Sequence, residues 1–318
     1  MFGNIEISLT KENGKPFFYN RIKIHKEIEE LKKLLIKNPD LRNLDELKVM
    51  KSIGLFIGEK RRNSYIQTEG YIFNHKDVST VSIIDLHERI IPEEKNYRVE
   101  DVYILDNDPR NWLGYFDKGI PKELIGTKMK ELMNYINSSN VNNEIDIFIK
   151  SQIIHFYFVY IHPFLDGNGR CARSLSKLYL LNQDSYYLTL ITRGLMTSKE
   201  EYKRSIIKSK NGDISPFLKY SLKALINELK IENSIQEIEK EKNIKLNEEE
   251  YNALQYLFHL KEKTLDSFAN YVLLYEKYQS KEDLIKRLLS PLIEKGILKL
   301  EEGKIEIIND SLDIKKIR

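Results

Sequence analysis

Residues 145–181 read IDIFIKSQIIHFYFVYIHPFLDGNGRCARSLSKLYLL. The first part, 145–161, is apolar on nearly all sides, which predicts a buried central helix. That helix should end before Pro163, because the residue that precedes a proline disfavours helical torsion angles. Leucines at helical spacing resume at Leu175. The stretch therefore predicts a helix, a glycine-containing loop and a second helix at the centre of the fold.

The segments around this centre are predicted to be mainly helical. Apolar residues at helical spacing indicate packing helices over residues 25–36, 44–53, 78–91, 124–137, 199–210 and 215–239. The exception is 102–116, where two apolar runs flank Asn107-Asp108-Pro109. Two such runs around an Asn/Asp/Pro turn predict a β-hairpin.

The C-terminal part of the chain has a pattern of its own. The charge-dense run 237–245 predicts the end of a solvated helix followed by a linker. Helical patterns then cover residues 247–260, 264–277 and 280–295. The final apolar runs predict a hairpin that turns at Glu302-Gly303. Three helices and a hairpin suggest a winged helix.

Composition limits the classes of function that fit. The 318 residues are 41% hydrophobic and 31% charged, enough for one large domain or two to three ordinary ones. The net charge of +3 is too small to attract DNA or anionic lipid over a wide surface. A single cysteine, Cys171, excludes an internal disulfide and a Cys-based zinc site. Because neither a signal peptide nor a ~20-residue apolar span is found, we expect a cytoplasmic protein without a membrane segment.

The loop and the start of the second helix combine groups that bind and activate a phosphate ester. A helix that begins near Asn168 offers unpaired amides and the positive end of its dipole. Arg170 and Arg173 share one helix face and can hold a polyphosphate. Asp166 is an oxygen ligand of the kind that Mg²⁺ takes beside phosphate oxygens, and His162 is suited to proton abstraction from a hydroxyl. Together they favour attack by an alcohol on a nucleotide phosphate.

Other phosphate and metal loops fit the segment less well. GNGRCA matches the glycine pattern of dinucleotide-binding folds, but a helix precedes it where that fold needs a strand. An EF-hand calcium loop is excluded because Arg170 and Cys171 stand where it needs Asp or Asn and then Gly. A capped turn with a core histidine and solvated arginines stays open, but it does not explain why His162 and Asp166 occur together with both arginines.

Residues 162–173, HPFLDGNGRCAR, resemble the H-x-F-x-D/E-G-N-G-R-x-x-R signature of the Fic family of nucleotide-dependent transferases at every specified position. In that family a histidine deprotonates a Ser, Thr or Tyr hydroxyl of a target protein, which attacks the α-phosphate of ATP. The resemblance implies that His162 is the base, that Asp166 binds Mg²⁺ and that Phe164 anchors the loop. It also implies that Gly167, Asn168 and Gly169 contact the α-phosphate of ATP. Arg170 and Arg173 would contact the β- and γ-phosphates.

The resemblance extends from the helix at 124–137 to about Leu225. The hairpin at 102–116 lies where the family keeps its target-binding flap. Many members carry two aromatic residues near the nucleotide base; here the pair reads Tyr202-Lys203, so only Tyr202 matches.

An inhibitory segment is also implied. Some members carry S/T-x-x-x-E-G/N on a helix, and residues 65–70 read YIQTEG, with Tyr65 in place of Ser or Thr and Ser64 one position early. Glu69 would pair with Arg173 and deprive the γ-phosphate of its ligand. The alternative is that Glu69 is a surface carboxylate before a turn.

These observations predict a mainly α protein. Residues 1–96 are expected to form a helical N-terminal region that contains the inhibitory segment 64–70. Residues 97–236 are expected to form a Fic-type catalytic core with a β-hairpin flap, and residues 245–318 a winged-helix-like domain. The other histidines lack ligand spacing and are expected to be structural or exposed, and His155 is expected to be a core residue.

The predicted function is a self-inhibited protein adenylyltransferase that uses ATP and Mg²⁺ on a hydroxyl-bearing target protein and on itself. One alternative is a kinase like Doc, whose signature has Lys where Gly169 stands here. Another is a DNA-binding regulator with a nucleotide-sensing core, although 244–318 holds 13 basic and 14 acidic residues and so lacks a cationic surface. A homo-oligomer is compatible with the sequence.

Overall fold

The computed structural model describes residues 5–44, 67–72, 80–105, 115–138, 141–197, 199–273 and 280–308. Its labelled helices are α1 (Arg21–Lys37), α2 (Thr80–Ile90), α3 (Ile125–Asn137), α4 (Glu144–Ile161), α5 (Asn168–Asn182), α6 (Ile191–Thr197), α7 (Lys199–Ser209), α8 (Ser215–Glu241), α9 (Glu248–His259), α10 (Leu265–Leu273), α11 (Lys281–Leu284) and α12 (Ser290–Glu294). Residues 67–72 are also helical. The prediction of a mainly α fold is confirmed, whereas most of the predicted helix at 44–53 lies outside the described residues.

Short 3-10 or π-helical turns connect several of these helices. They cover Pro39–Asn43, Lys122–Leu124, Tyr186–Leu190 and, between α11 and α12, Ile285–Leu289. Ser280 caps α11, because its side chain accepts a hydrogen bond from the Asp283 amide, and Gly296 follows α12 with a φ of 65°. Both residues stand where serine caps and glycine stops are expected in a helix.

The strands among the described residues form two antiparallel hairpins, as predicted. In the first, β1 (Tyr103–Leu105) pairs with β2 (Tyr115–Lys118), and the turn between them lies outside the described residues. In the second, β3 (Leu298–Glu301) pairs with β4 (Lys304–Ile307). Glu302 and Gly303 both have positive φ values, 48° and 75°, as a two-residue hairpin turn requires.

Helix α4 is the centre of the fold. It begins after Asn143, whose side chain accepts hydrogen bonds from the amides of Ile145 and Asp146, and it is buried along almost its whole length. Helices α3, α5 and α8 pack against it. A helix that is apolar on all sides can be surrounded in this way. The end of α4 is therefore fixed by packing from several directions, and that end carries His162.

Helix α8 belongs to two buried clusters. Its first part packs against α1, α6 and α7 in the larger cluster, which includes Leu222 and Leu225. Its last part contributes Ile231, Ile235 and Ile238 to a second cluster with α9–α12 and the β3–β4 hairpin. The C-terminal helices α9–α12 and the β3–β4 hairpin follow one another in the order that the sequence pattern predicts. Their assignment as a winged helix stays a prediction. Across the described ranges, no helix is long and apolar enough to cross a bilayer.

Candidate active site

The site begins where α4 ends. His162 is the C-cap of α4 and has left-handed backbone torsions, φ 53° and ψ 60°, while its amide still donates to the Phe158 carbonyl at 3.0 Å. Pro163 follows and cannot continue the helix. The chain therefore turns sharply at His162, as the position of the proline predicts.

Asn168 holds the loop closed. Its side-chain oxygen accepts from the Phe164 amide at 2.9 Å, and its side-chain nitrogen donates to the Phe164 carbonyl at 2.8 Å. The resemblance implied a contact between Asn168 and the α-phosphate. The side chain of Asn168 is buried and bridges the loop, so its backbone amide is the group left to face a phosphate.

Gly167 is the N-cap of α5 and has a φ of 78°. A Cβ at this position would lie 3.0 Å from Nε2 of His87 and 3.1 Å from Ile91. Both the torsion angle and the space therefore require glycine. Gly167 makes no side-chain cap of α5, and the first amides of a helix without such a cap are suited to bind an anion.

Asp166 and Arg170 are paired across one turn at the entrance of the loop. Oδ2 of Asp166 lies 3.2 Å from Nη2 of Arg170, and the Asp166 side chain is 74% exposed. Arg170 also donates to the Ile90 carbonyl at 3.3 Å. An exposed carboxylate beside a helix N-terminus suits Mg²⁺, which is typically held by one or two carboxylates together with phosphate oxygens and water. The described residues contain no group of three or more His, Cys, Asp or Glu that could hold a metal by themselves.

His87 and Glu94, which precede residues 162–173 in the sequence, contact the loop and support it. The buried ring of His87, on α2, stacks on Phe164 with centroids 3.5 Å apart and an interplanar angle of 6°. Its Nε2 lies 2.9 Å from the Asp166 carbonyl oxygen. Oε2 of Glu94 accepts from the Leu165 amide at 3.2 Å. Phe164 is thus anchored, as expected, but sequence patterns did not predict its partners, since nothing near His87 or Glu94 in the sequence indicates contact with residues some 70 to 80 positions away.

His155 lies in the core, as expected. Its Nε2 is 2.8 Å from the hydroxyl of Tyr202, and burial, with a smaller contribution from the charge of Arg173, lowers the pKa of His155 to about 3. Burial raises the pKa of Tyr202 to about 12. His155 is therefore neutral at physiological pH. The hydroxyl of Tyr202 points to this histidine, and its ring packs near Phe217.

Glu69 lies in the helical residues 67–72 and is buried. Its carboxylate forms an ion pair with Lys177 of α5, and the two side chains are 5% and 2% exposed. The sequence pointed instead to Arg173, one turn earlier on the same helix, as the partner of Glu69. A buried carboxylate needs a cation, and the lysine at this depth supplies it. Positions 64–66 of the expected inhibitory segment lie outside the described residues.

Residues 77–180 match the model of the Fic/DOC family. This part of the chain, about a third of its length, is a Fic/DOC family domain. The matched range covers the helices α2–α4, most of α5 and the loop between α4 and α5, so the Fic domain contains the whole signature segment.

Among curated proteins, the chain is similar over about half of its length to protein adenylyltransferases. The chain is 27% identical over 154 residues to protein adenylyltransferase fic-1 of Caenorhabditis elegans, covering 47% of this chain and 27% of that protein. It is 26% identical over 153 residues to protein adenylyltransferase Fic of Nematostella vectensis, covering 46% and 32% respectively. The match thus spans a third or less of the length of these relatives.

The fold extends beyond the family match. A solved structure of a Fic family protein from Desulfovibrio desulfuricans G20 superimposes with a TM-score of 0.56 and 16% identity, covering 94% of this chain and 99% of that one. The arrangement of helices is therefore shared with a Fic protein over nearly the whole chain.

Proposed function

We propose that this chain is a Mg²⁺-dependent protein adenylyltransferase that moves AMP from ATP to a Ser, Thr or Tyr hydroxyl of a target protein. The observation that carries the proposal is the loop at 162–173, which joins a histidine at the end of α4 to the open N-terminus of α5. The adenylyltransferase names of the relatives support the same reaction class.

In the proposed reaction, His162 takes the proton of the target hydroxyl. The hydroxyl oxygen attacks the α-phosphorus of ATP and forms a new phosphoester bond, while the bond from the α-phosphorus to the oxygen bridging to the β-phosphate breaks and pyrophosphate leaves. The amides of Asn168 and Gly169 at the start of α5 would face the charge on the α-phosphate. The Gly167 amide, which donates to Oδ1 of Asp166 at 2.6 Å in this structure, would join them when Asp166 turns toward Mg²⁺. Tyr202 would lie toward the nucleotide base.

The charged residues of the loop would hold the leaving group. Arg170 and Arg173 would bind the β- and γ-phosphates. Asp166 would hold Mg²⁺, which when bound neutralises phosphate charge. Because Asp166 and Arg170 contact each other in this structure, we expect both side chains to move from each other toward Mg²⁺ and phosphate when ATP binds.

Glu69 is proposed to inhibit the enzyme. Its carboxylate pairs with Lys177, which lies on α5 one helical turn after Arg173, and we propose that from there it competes for the phosphate end of the site. The proposed regions remain 1–96, 97–236 and 245–318, with α8 running between the last two.

The deciding experiment is transfer from ATP labelled separately at the α- and γ-phosphate. We expect α-label on protein, and at least a ~10²-fold loss in His162→Ala because the general base is removed. His25→Ala is the matched control, since His25 is exposed on α1. Transfer of γ-label instead would contradict adenylylation and support the kinase alternative. DNA binding without label transfer would support a regulator.

A further inference from the structure

The buried side chain of Arg98 ends in a network of backbone carbonyls. Its Nε donates to the His162 carbonyl at 2.7 Å, and its two Nη atoms donate to the carbonyls of Glu100 and Ile120, each at 2.6 Å. The backbone amide of Arg98 donates to the Pro163 carbonyl at 2.9 Å. One residue thus holds two consecutive carbonyls at the turn that carries His162.

That turn needs external support. A non-glycine residue in the left-handed region costs on the order of 1–3 kcal/mol and persists where its surroundings determine it. The last carbonyls of a helix also lack partners within the helix. Arg98 supplies the missing donors at His162 and Pro163, so it stabilises the backbone conformation in which α4 ends.

The same guanidinium reaches the base of the β1–β2 hairpin. Ile120 lies two residues after β2, and the Gly119 amide donates to the Val102 carbonyl just before β1. A Cβ on Gly119 would lie 2.7 Å from Nη2 of Arg98 and 3.1 Å from Val102. Gly119 therefore leaves the space that the guanidinium occupies.

We propose that Arg98 is a positioning residue for AMP transfer. By joining the carbonyls of His162, Pro163 and Ile120 in one network, it fixes the backbone of the catalytic histidine relative to the hairpin beside the target site. The inference rests on the proposed function, in which His162 is the base.

Two variants test this role in different ways. Arg98→Lys keeps the charge but cannot donate in three directions from one plane. Gly119→Ala keeps the arginine and displaces it. The matched controls are Arg42→Lys, an arginine that donates to the Leu35 carbonyl away from the site, and Gly126→Ala, where a Cβ meets open space.

We expect both test variants to lower kcat by about 10- to 100-fold, because small displacements of a catalytic group have effects of that size. The KM for ATP should stay within about twofold, since α5 and its loop bind the phosphates. The controls should retain wild-type kinetics. An increased KM with unchanged kcat would overturn the proposal, because it would assign Arg98 to nucleotide binding.

Hydrogen exchange gives a readout that does not depend on activity. The amides of His162 and Phe164 should exchange at least about tenfold faster in Arg98→Lys than in Arg42→Lys, because the turn loses its support. Unchanged exchange together with full kcat would overturn the proposal. If the wild-type protein transfers no AMP, the proposed function fails, and exchange still decides whether Arg98 holds the turn. If Arg98→Lys does not fold, Gly119→Ala carries both measurements.

Discussion

Glu69 and Lys177 form a buried ion pair that attaches the helical residues 67–72 to α5, one helical turn beyond Arg173. A second contact supports the same attachment, because the guanidinium of Arg89 on α2 lies 4.0 Å from the centre of the Tyr71 ring. The segment that carries Glu69 is therefore held by both α2 and α5, the two helices that also support the loop at 162–173.

Removing the charge of either Glu69 or Lys177 alone should destabilise the protein. We expect Glu69→Gln or Lys177→Met to lower the free energy of unfolding by about 3–5 kcal/mol, because each leaves an uncompensated buried charge. Urea unfolding measures the change, and the double variant should lose less than the sum of the two. Lys32→Met, which breaks a more exposed pair with Glu29, should cost about 1 kcal/mol or less. A similarly small effect for Lys177→Met would contradict the buried pair.

Glu69→Gly should raise AMP transfer to the target and to the protein itself. The carboxylate pairs with Lys177, one turn from Arg173, and in the proposed inhibition it also competes with the γ-phosphate for that arginine, so removing it should favour phosphate binding. Initial rates with α-labelled ATP test this, and Glu93→Gly is the control because Glu93 is exposed. If Glu69→Gly leaves transfer unchanged while Arg173→Ala abolishes it, the arginine binds phosphate and the idea of inhibition is wrong.

Asp166→Ala should weaken Mg²⁺-dependent transfer without unfolding the protein. The side chain is 74% exposed, so little packing is lost. The transfer rate as a function of Mg²⁺ concentration measures the effect on catalysis, and the Tm measures the effect on stability. Asp40→Ala removes an exposed carboxylate away from the site and should leave both unchanged. Full activity in Asp166→Ala would remove the metal assignment, and a large drop in Tm would support a purely structural cap.

The protein should lose stability in acid through Glu228. Burial by itself would raise the pKa of Glu228, but the charges of His259 and Arg193 outweigh it and lower that pKa to about 2. Its contribution to stability is therefore complete above its ordinary pKa of 4.5 and is lost as the pH falls toward 2. Urea unfolding of Glu228→Gln should depend less on pH in this range than the wild type. If the free energy of unfolding of the variant falls with pH as steeply as that of the wild type, other carboxylates cause the loss of stability in acid.

The helix–loop–helix at the site could be predicted because its signals are local. An apolar run, Pro163 and a glycine at the start of α5 are read from neighbouring residues, and the structure has them as expected. The bridge between Asn168 and Phe164 is local too, spanning four positions. The type of side chain and the short spacing are sufficient for such contacts.

The supports of the site could not be predicted, because they come from distant segments. His87, Arg98 and Glu69 contact residues that lie 79, 64 and 108 positions away in the chain. The residues next to His87, Arg98 and Glu69 in the sequence show the pattern expected around an ordinary surface residue. Only the packing of residues 67–72 against α5, and of α2 and the following coil against the loop, shows that these side chains are buried.

Helix α8 limits how the protein can be shortened. Its 27 residues span about 40 Å, and the apolar stripe of Ile231, Ile235 and Ile238 is covered by the C-terminal helices and hairpin. A fragment that ends near residue 236 would expose Ile231 and Ile235 to water and leave Glu232 without the bonds it accepts from Tyr251 and Gln255. The Fic domain and the C-terminal helices are therefore best expressed and purified as one piece.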